Sequence, residues 1–164
     1  LALNEKYEAL SRKDFSNSTN LLSTDNLEGI TEGEQILRKI IEPWKGKMIL
    51  IDVWGTWCGP CKEAMKHSQE LYERMKAYDM FFLYMANNSS ETSWKNVINE
   101  YNVTGENVGH VNLPTDQQGA VEDFLKVNSY PSYFLIDREG HLLEVNADPR
   151  NLDQFEELVK RVGK

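Results

Sequence analysis

A chain of 164 residues, 40% apolar and 27% charged, is the size of one compact domain with room for a real hydrophobic core. Its net charge of −8 and the lack of any Lys/Arg-rich stripe exclude nucleic acid as an expected partner, and no apolar run reaches the roughly 18 residues needed to cross a bilayer. The only two cysteines share one motif, which excludes a structural disulfide framework and leaves stability to packing.

Leu3, Tyr7 and Leu10 recur at helical spacing and predict a short helix over 2–13. The Ser-, Asn-, Thr- and Asp-rich stretch 14–29 reads as a loop or linker. Residues 1–29 are therefore assigned to an N-terminal extension and 30–164 to the main domain. The chain starts Leu1-Ala2-Leu3, without an initiator Met or a basic-then-apolar leader. It is expected to be a domain cut from an exported precursor, with any membrane tether outside it.

Thr31-Glu32-Gly33-Glu34 resembles a capping box that Gly33 weakens. Ile36, Leu37, Ile40 and Ile41 follow as an apolar helical face, Pro43 ends that helix, and Lys45-Gly46-Lys47 turns the chain. Met48 to Trp54 is apolar on both faces, the pattern of a central strand covered on two sides. One helix is expected over 59–77, with Pro60 tolerated in its first turn and Ala64, Met65, Ser68, Leu71, Tyr72 and Met75 facing inward. Met80 to Met85 reads as a second strand, and Asn87 to Ser90 as a loop. Thr92 to Tyr101 is a helix with Trp94, Val97, Ile98 and Tyr101 on one face, more readily core than a binding platform. Val111-Asn112-Leu113 is expected as a short strand, and Val121, Phe124 and Leu125 mark another helix. Tyr133 to Ile136, the tight turn Asp137 to Gly140 and His141 to Val145 predict an antiparallel hairpin. Leu152, Phe155, Leu158, Val159 and Val162 make an amphipathic terminal helix, with Glu156, Glu157, Lys160 and Arg161 on its solvent side. Strands alternating with helices predict an α/β fold: a central mixed sheet with helices on both faces.

The chemistry is concentrated in Trp57-Cys58-Gly59-Pro60-Cys61, which follows the central strand and opens a helix. Two thiols at this spacing can close a small disulfide ring and reopen it, which points to thiol–disulfide exchange. A thiol attacks as its thiolate, and a free thiol near pKa 8.5 is mostly protonated at neutral pH. A position just before a helix supplies unpaired N–H groups and the positive end of the helix dipole to stabilise the anion. Cys58 is thus the expected attacking sulfur. Cys61, one turn further in and less exposed, is the expected resolving one. Trp57 shields one side, Gly59 lets a partner backbone approach, and Pro60 constrains the turn. The competing reading, half of a structural zinc site, lacks two ligands: there is no second cysteine pair, and His67, His110 and His141 are scattered.

Asp52 interrupts the apolar strand six residues before Cys58. An unpaired buried carboxylate is held towards its neutral form, and there it can exchange a proton with Cys61 through water. An equally open reading makes Asp52 a polar residue near an exposed strand end. Pro131 cannot fill a central ladder position, so it belongs at the entry of the strand that follows it. By residue type alone its peptide bond is expected to be trans. Lys62, Lys66 and His67 fit the solvated face of a helix better than a device that tunes the thiolate. His110 and His141 have no visible partners.

With these residues in place, the chain resembles the thioredoxin-like superfamily, and within it the TlpA/ResA-like group of bacterial thiol–disulfide oxidoreductases. The resemblance covers residues 30–163 and is carried by Ile49 to Cys61 and by Tyr130 to Gly140. The helix near 91–102 resembles that group's insertion. The resemblance implies a thioredoxin-like fold. It gives Cys58 and Cys61 the attacking and resolving roles, puts Asp52 at the buried-acid position, and makes Pro131 a cis-proline beside the disulfide. Tyr130 occupies the slot whose backbone pairs with an extended substrate. It is bulkier than the Thr or Val common there, and the group itself varies at the Asp52 position. The expected activity is protein disulfide reduction. It needs no cofactor beyond the Cys58–Cys61 disulfide and would be carried out by a monomer in the periplasm or cell envelope, fed by an upstream dithiol donor. Gly-Pro between the cysteines matches reducing thioredoxin, near about −270 mV, rather than oxidising DsbA, near about −120 mV. The alternatives are an oxidase or isomerase, a non-catalytic module docking peptides on Trp57, Tyr130 and Pro131, and, less readily, a peroxidase.

Overall fold

The computed structural model describes residues 20–163. Its sheet has four strands in the order β3-β2-β1-β4. They are β1 (Met48–Trp54), β2 (Met80–Ala86), β3 (Val108–Val111) and β4 (Ser132–Ile136). β2 runs parallel to β1 and to β3, while β4 pairs antiparallel with β1, so the sheet is mixed as expected. Both central strands are buried along their whole length.

Alternate residues of a strand face opposite sides, and each side of this sheet has its own core. On the first, Met48, Leu50, Trp54 and Phe82 pack with helices α2 (Gly59–Met65), α3 (Ser68–Met75), α4 (Glu91–Glu100) and α6 (Leu152–Val162). On the second, Ile49, Ile51, Val53, Phe81, Leu83 and Met85 pack with α1 (Gly33–Ile41) and α5 (Thr115–Leu125). Each fully buried aliphatic side chain contributes about 1.5–3 kcal/mol, which lets the central strand carry one costly carboxylate at Asp52.

Four expectations are corrected. The single helix over 59–77 is two, α2 and α3. Between them Lys66 and His67 donate to Glu63 and Ala64 carbonyls three residues back, which tightens the turn and redirects the axis without a Pro or Gly to mark it. The short strand lies at Val108–Val111 rather than 111–113, because Asn112 leaves the ladder to donate to the Ser89 carbonyl and Pro114 follows. The strand His141–Val145 shrinks to one bridge, Ile136 to Leu142. The turn itself forms: the Asp137 carboxylate accepts from the N–H groups of Glu139 and His141, and Gly140 takes a positive φ of 88°. Beyond the Leu143-to-Leu135 backbone bond the chain leaves the sheet, and Leu143 and Val145 pack against the core instead. Finally, part of the stretch assigned to a linker docks on the domain. Leu21 bridges to His110 at the β3 edge, Leu27 is buried, and the Gln117 side chain donates to the Leu27 and Ile30 carbonyls. The helix expected over 2–13 lies outside the described residues. Among the described residues no helix is long and apolar enough to cross a membrane.

Candidate active site

β1 delivers the chain to Gly55, Thr56 and Trp57, and α2 starts two residues later. The Trp57 indole folds back over Gly55, where a Cβ would meet its ring at 2.4 Å; only glycine leaves that space. Cys58 caps α2 in extended conformation (φ −99°, ψ 108°), and its Sγ accepts the Cys61 N–H at 3.2 Å. Pro60 sits in the first turn, where its missing N–H costs nothing. The two sulfurs form a disulfide, with the Cα atoms 5.3 Å apart.

In this oxidised form Cys58 is 4% exposed and Cys61 2%. The order matches the expectation, but the attacking sulfur is far less open than its place before a helix implies, because both cysteines pack into the first-face core with Trp54 and Met65. Gly59 and Pro60 are exposed above them, and Gly59 has open space on its side-chain side.

Behind the disulfide, one level of the sheet carries a polar side chain on every strand: Tyr133 of β4, Asp52 of β1, Tyr84 of β2 and His110 of β3 are register partners in turn. Tyr84 and His110 stack with centroids 4.8 Å apart, and the Tyr72 and Tyr84 hydroxyls share a 2.6 Å hydrogen bond. The His110 Nε2 lies 2.7 Å from the Val103 carbonyl. Asp52 Oδ1 is buried with no hydrogen-bond partner among the described residues. Burial pushes its carboxyl up from 3.8 to about 8, against the pull of the Arg150 guanidinium and with a push from Asp148. Burial likewise pushes His110 down to about 4. Asp52 therefore lies buried within β1 rather than at an exposed strand end.

Asp52 borders a cleft of about 650 Å³, whose walls include Pro60, His67, Tyr84, Tyr133 and Arg150. Arg150 pairs with Asp148 at 2.6 Å and lies 5.7 Å over the Tyr133 ring. Lys66 and His67 are exposed, and Lys66 pairs with Glu63 at 3.1 Å, in line with a solvated helix face.

The Tyr130–Pro131 peptide is cis, as the resemblance implies and residue type alone does not. Tyr130 meets Trp57 edge to face, centroids 5.1 Å apart. Trp57, at 51%, is the exposed large hydrophobic residue among those described.

A thioredoxin-like family model matches residues 46–142, a span that holds the Cys-x-x-Cys pair, all four strands and the cis-proline segment. The chain belongs to the thioredoxin-like family. It is 27% identical over 131 residues to the thiol-disulfide oxidoreductase ResA of Bacillus thuringiensis, covering 80% of this chain and 70% of that one. It is 32% identical over 101 residues to ResA of Bacillus subtilis, covering 62% and 53%. The fold matches the thioredoxin domain of a thiol-disulfide oxidoreductase from Bacteroides vulgatus with a TM-score of 0.62 at 22% identity, over 75% of this chain and 84% of that one. The chain is an enzyme of this class, a thiol-disulfide oxidoreductase.

Within this thioredoxin-like site, three residues had no signal in the sequence. Glu122 sits on α5 below Tyr130 and accepts its hydroxyl hydrogen. Arg150 stands at the mouth of the Asp52 cleft, and His110 closes the polar row; both owe their positions to strand register or loop packing. His141 lies 3.3 Å from Asp137 on the exposed turn, away from the cysteines.

Proposed function

We propose that this oxidoreductase works as a protein disulfide reductase. The observation that carries the reading is the pairing of a helix-capping Cys58, whose sulfur already accepts the Cys61 N–H, with a buried Asp52 whose carboxyl is raised to about 8. In the reduced enzyme the Cys58 thiolate attacks one sulfur of a client disulfide. A mixed disulfide forms, and the client's other sulfur leaves as thiolate and takes a proton from solvent. Asp52, in its ionised form and reached through water in the cleft, accepts the Cys61 proton and then passes it to solvent. The Cys61 thiolate then attacks Cys58 Sγ, releasing the client's second thiolate and closing the Cys58–Cys61 disulfide. A client dithiol is made and the enzyme dithiol is consumed, two electrons in all. An upstream dithiol donor restores the enzyme, and the cysteine pair serves as its own redox group.

The client is an extended segment laid along the Tyr130 backbone beside cis-Pro131, with Trp57, Gly59 and Pro60 forming the rest of the dock. We place the domain outside the cytoplasm, in the periplasm or cell envelope, together with the group it resembles. One chain supplies every residue of the site, so a monomer suffices.

Equilibration with glutathione tests the direction. The expected potential lies near that of reducing thioredoxin, and a value above about −180 mV would reject the reductase reading. Cys61→Ser is expected to hold its client as a mixed disulfide on Cys58, while Cys58→Ser holds none.

A further inference from the structure

Trp57 and Tyr130 are 73 residues apart, yet they belong to one closed hydrogen-bonded circuit. Trp57 Nε1–H donates to the Asn87 carbonyl at 3.0 Å. The Asn87 side-chain amide donates to Glu122 Oε2 at 2.8 Å, and the Tyr130 hydroxyl donates to Glu122 Oε1. The Tyr130 ring returns to Trp57 edge to face. Gln118, one turn earlier on α5, adds a second donor to Oε2 at 2.8 Å, the third to the carboxylate. Ser89 Oγ ties the two loops, donating to the Asn87 carbonyl at 2.9 Å and accepting the Thr56 N–H at 3.0 Å.

Glu122 is 8% exposed, and its side chain joins the Asn87 loop, which holds the Trp57 indole, to the Tyr130 loop. Its carboxylate is an acceptor at both oxygens and takes three donors here. A glutamine in its place would turn an NH2 towards at least one of them. The residues it fixes are those immediately before Cys58 and immediately before Pro131, and the corner they form is aromatic, with Trp57 half exposed.

We infer that Glu122 is a positioning residue that locks Trp57 and Tyr130 into a single apolar dock for the side chain flanking the client's reacting cysteine. The favoured client is therefore an extended segment with an aliphatic or aromatic residue next to its cystine. This rests on the disulfide-reductase reading. Glu122 touches neither sulfur, so its effect runs through where the client sits rather than through the exchange itself.

The test uses two synthetic peptide disulfides that differ only in the residue beside the cysteine, Leu in one and Asp in the other. The wild type is expected to favour the Leu peptide about tenfold in kcat/KM. Glu122→Gln and Tyr130→Phe are each expected to remove most of that preference by raising KM for the Leu peptide. Because both act through one circuit, the double variant is expected to be no worse than either single one. The Trp57 indole N–H resonance is expected to move in Glu122→Gln. A side chain that merely filled space would be replaced without loss by the isosteric glutamine, so a wild-type preference in Glu122→Gln overturns the inference. Losses that multiply in the double variant, a loss confined to kcat for both peptides, or an unmoved indole signal also overturn it. If Glu122→Gln does not fold, Tyr130→Phe alone decides, since it keeps the ring and removes only the bond to Glu122. A wild type that reduces neither peptide overturns the reductase reading and this inference with it; one that reduces both without preference overturns this inference alone.

Discussion

Replacing Asp52 with asparagine removes an ionisable group from the middle of the sheet with almost no change in size. The unfolded chain binds the Asp52 proton only up to its ordinary value of 3.8, whereas the folded protein keeps it up to about 8. Between those values the native state holds one proton more than the unfolded state, so stability falls as pH rises. At about 1.4 kcal/mol per pH unit for one proton, the loss from this group between about pH 5 and about pH 8 is on the order of 3–4 kcal/mol. Asp52→Asn lacks this term. Urea unfolding of the oxidised wild type and variant at both pH values checks it, because the double difference cancels every other titrating group. The variant is expected to gain on the wild type by a few kcal/mol from the lower to the higher pH. Parallel stability profiles would refute the argument, since they would mean that Asp52 is as well solvated in the folded protein as in the unfolded chain.

The same row contributes an opposite slope at lower pH. His110 is held neutral by burial to about 4, below its ordinary 6.5, so stability is lost as pH falls through that window, and a ring-proton NMR titration is expected to find its midpoint near 4. Arg150→Gln removes the cation that favours ionised Asp52, so the Asp52 carboxyl-carbon titration is expected to move upward from about 8; a downward move would show that water entering the cleft controls the site instead. Gly33→Ala sets two effects against each other. Alanine is favoured in a helix by about 1 kcal/mol, but its Cβ would meet the Ala120 carbonyl oxygen at 2.1 Å, where α1 crosses α5. Overpacking against backbone costs about 1–3 kcal/mol, so thermal unfolding is expected to show net destabilisation.

The elements that could be read in the chain are those whose burial is uniform or strictly periodic. β1 and β2 are buried on both faces and appear as continuous apolar runs. α4 and α6 carry their apolar stripes at helical spacing and fall within a residue or so of expectation. The break at His67 left no mark, since a shift from four-residue to three-residue hydrogen bonding needs no special residue type. The His141–Val145 stretch misled because apolar side chains covering a core resemble those of a paired strand. Gly33 looked like a weakness in a cap, while its reason, the Ala120 backbone beside it, lies 87 residues away.

The redox pair was legible because its chemistry is local: two sulfurs, a turn and a helix start within five consecutive residues fix what can react. The environment that tunes and aims them is not local. Asp52 acquires its neighbours Tyr133 and Tyr84, and Tyr84 its partner His110, only when four strands align in register, and Glu122 reaches Tyr130 and Asn87 only when α5 packs under two loops. The sequence by itself determined which bond is made and broken. Only the tertiary structure decided how far the Asp52 carboxyl is held from water and what holds the aromatic corner in place, because desolvation and hydrogen-bond geometry depend on groups brought together from distant parts of the chain.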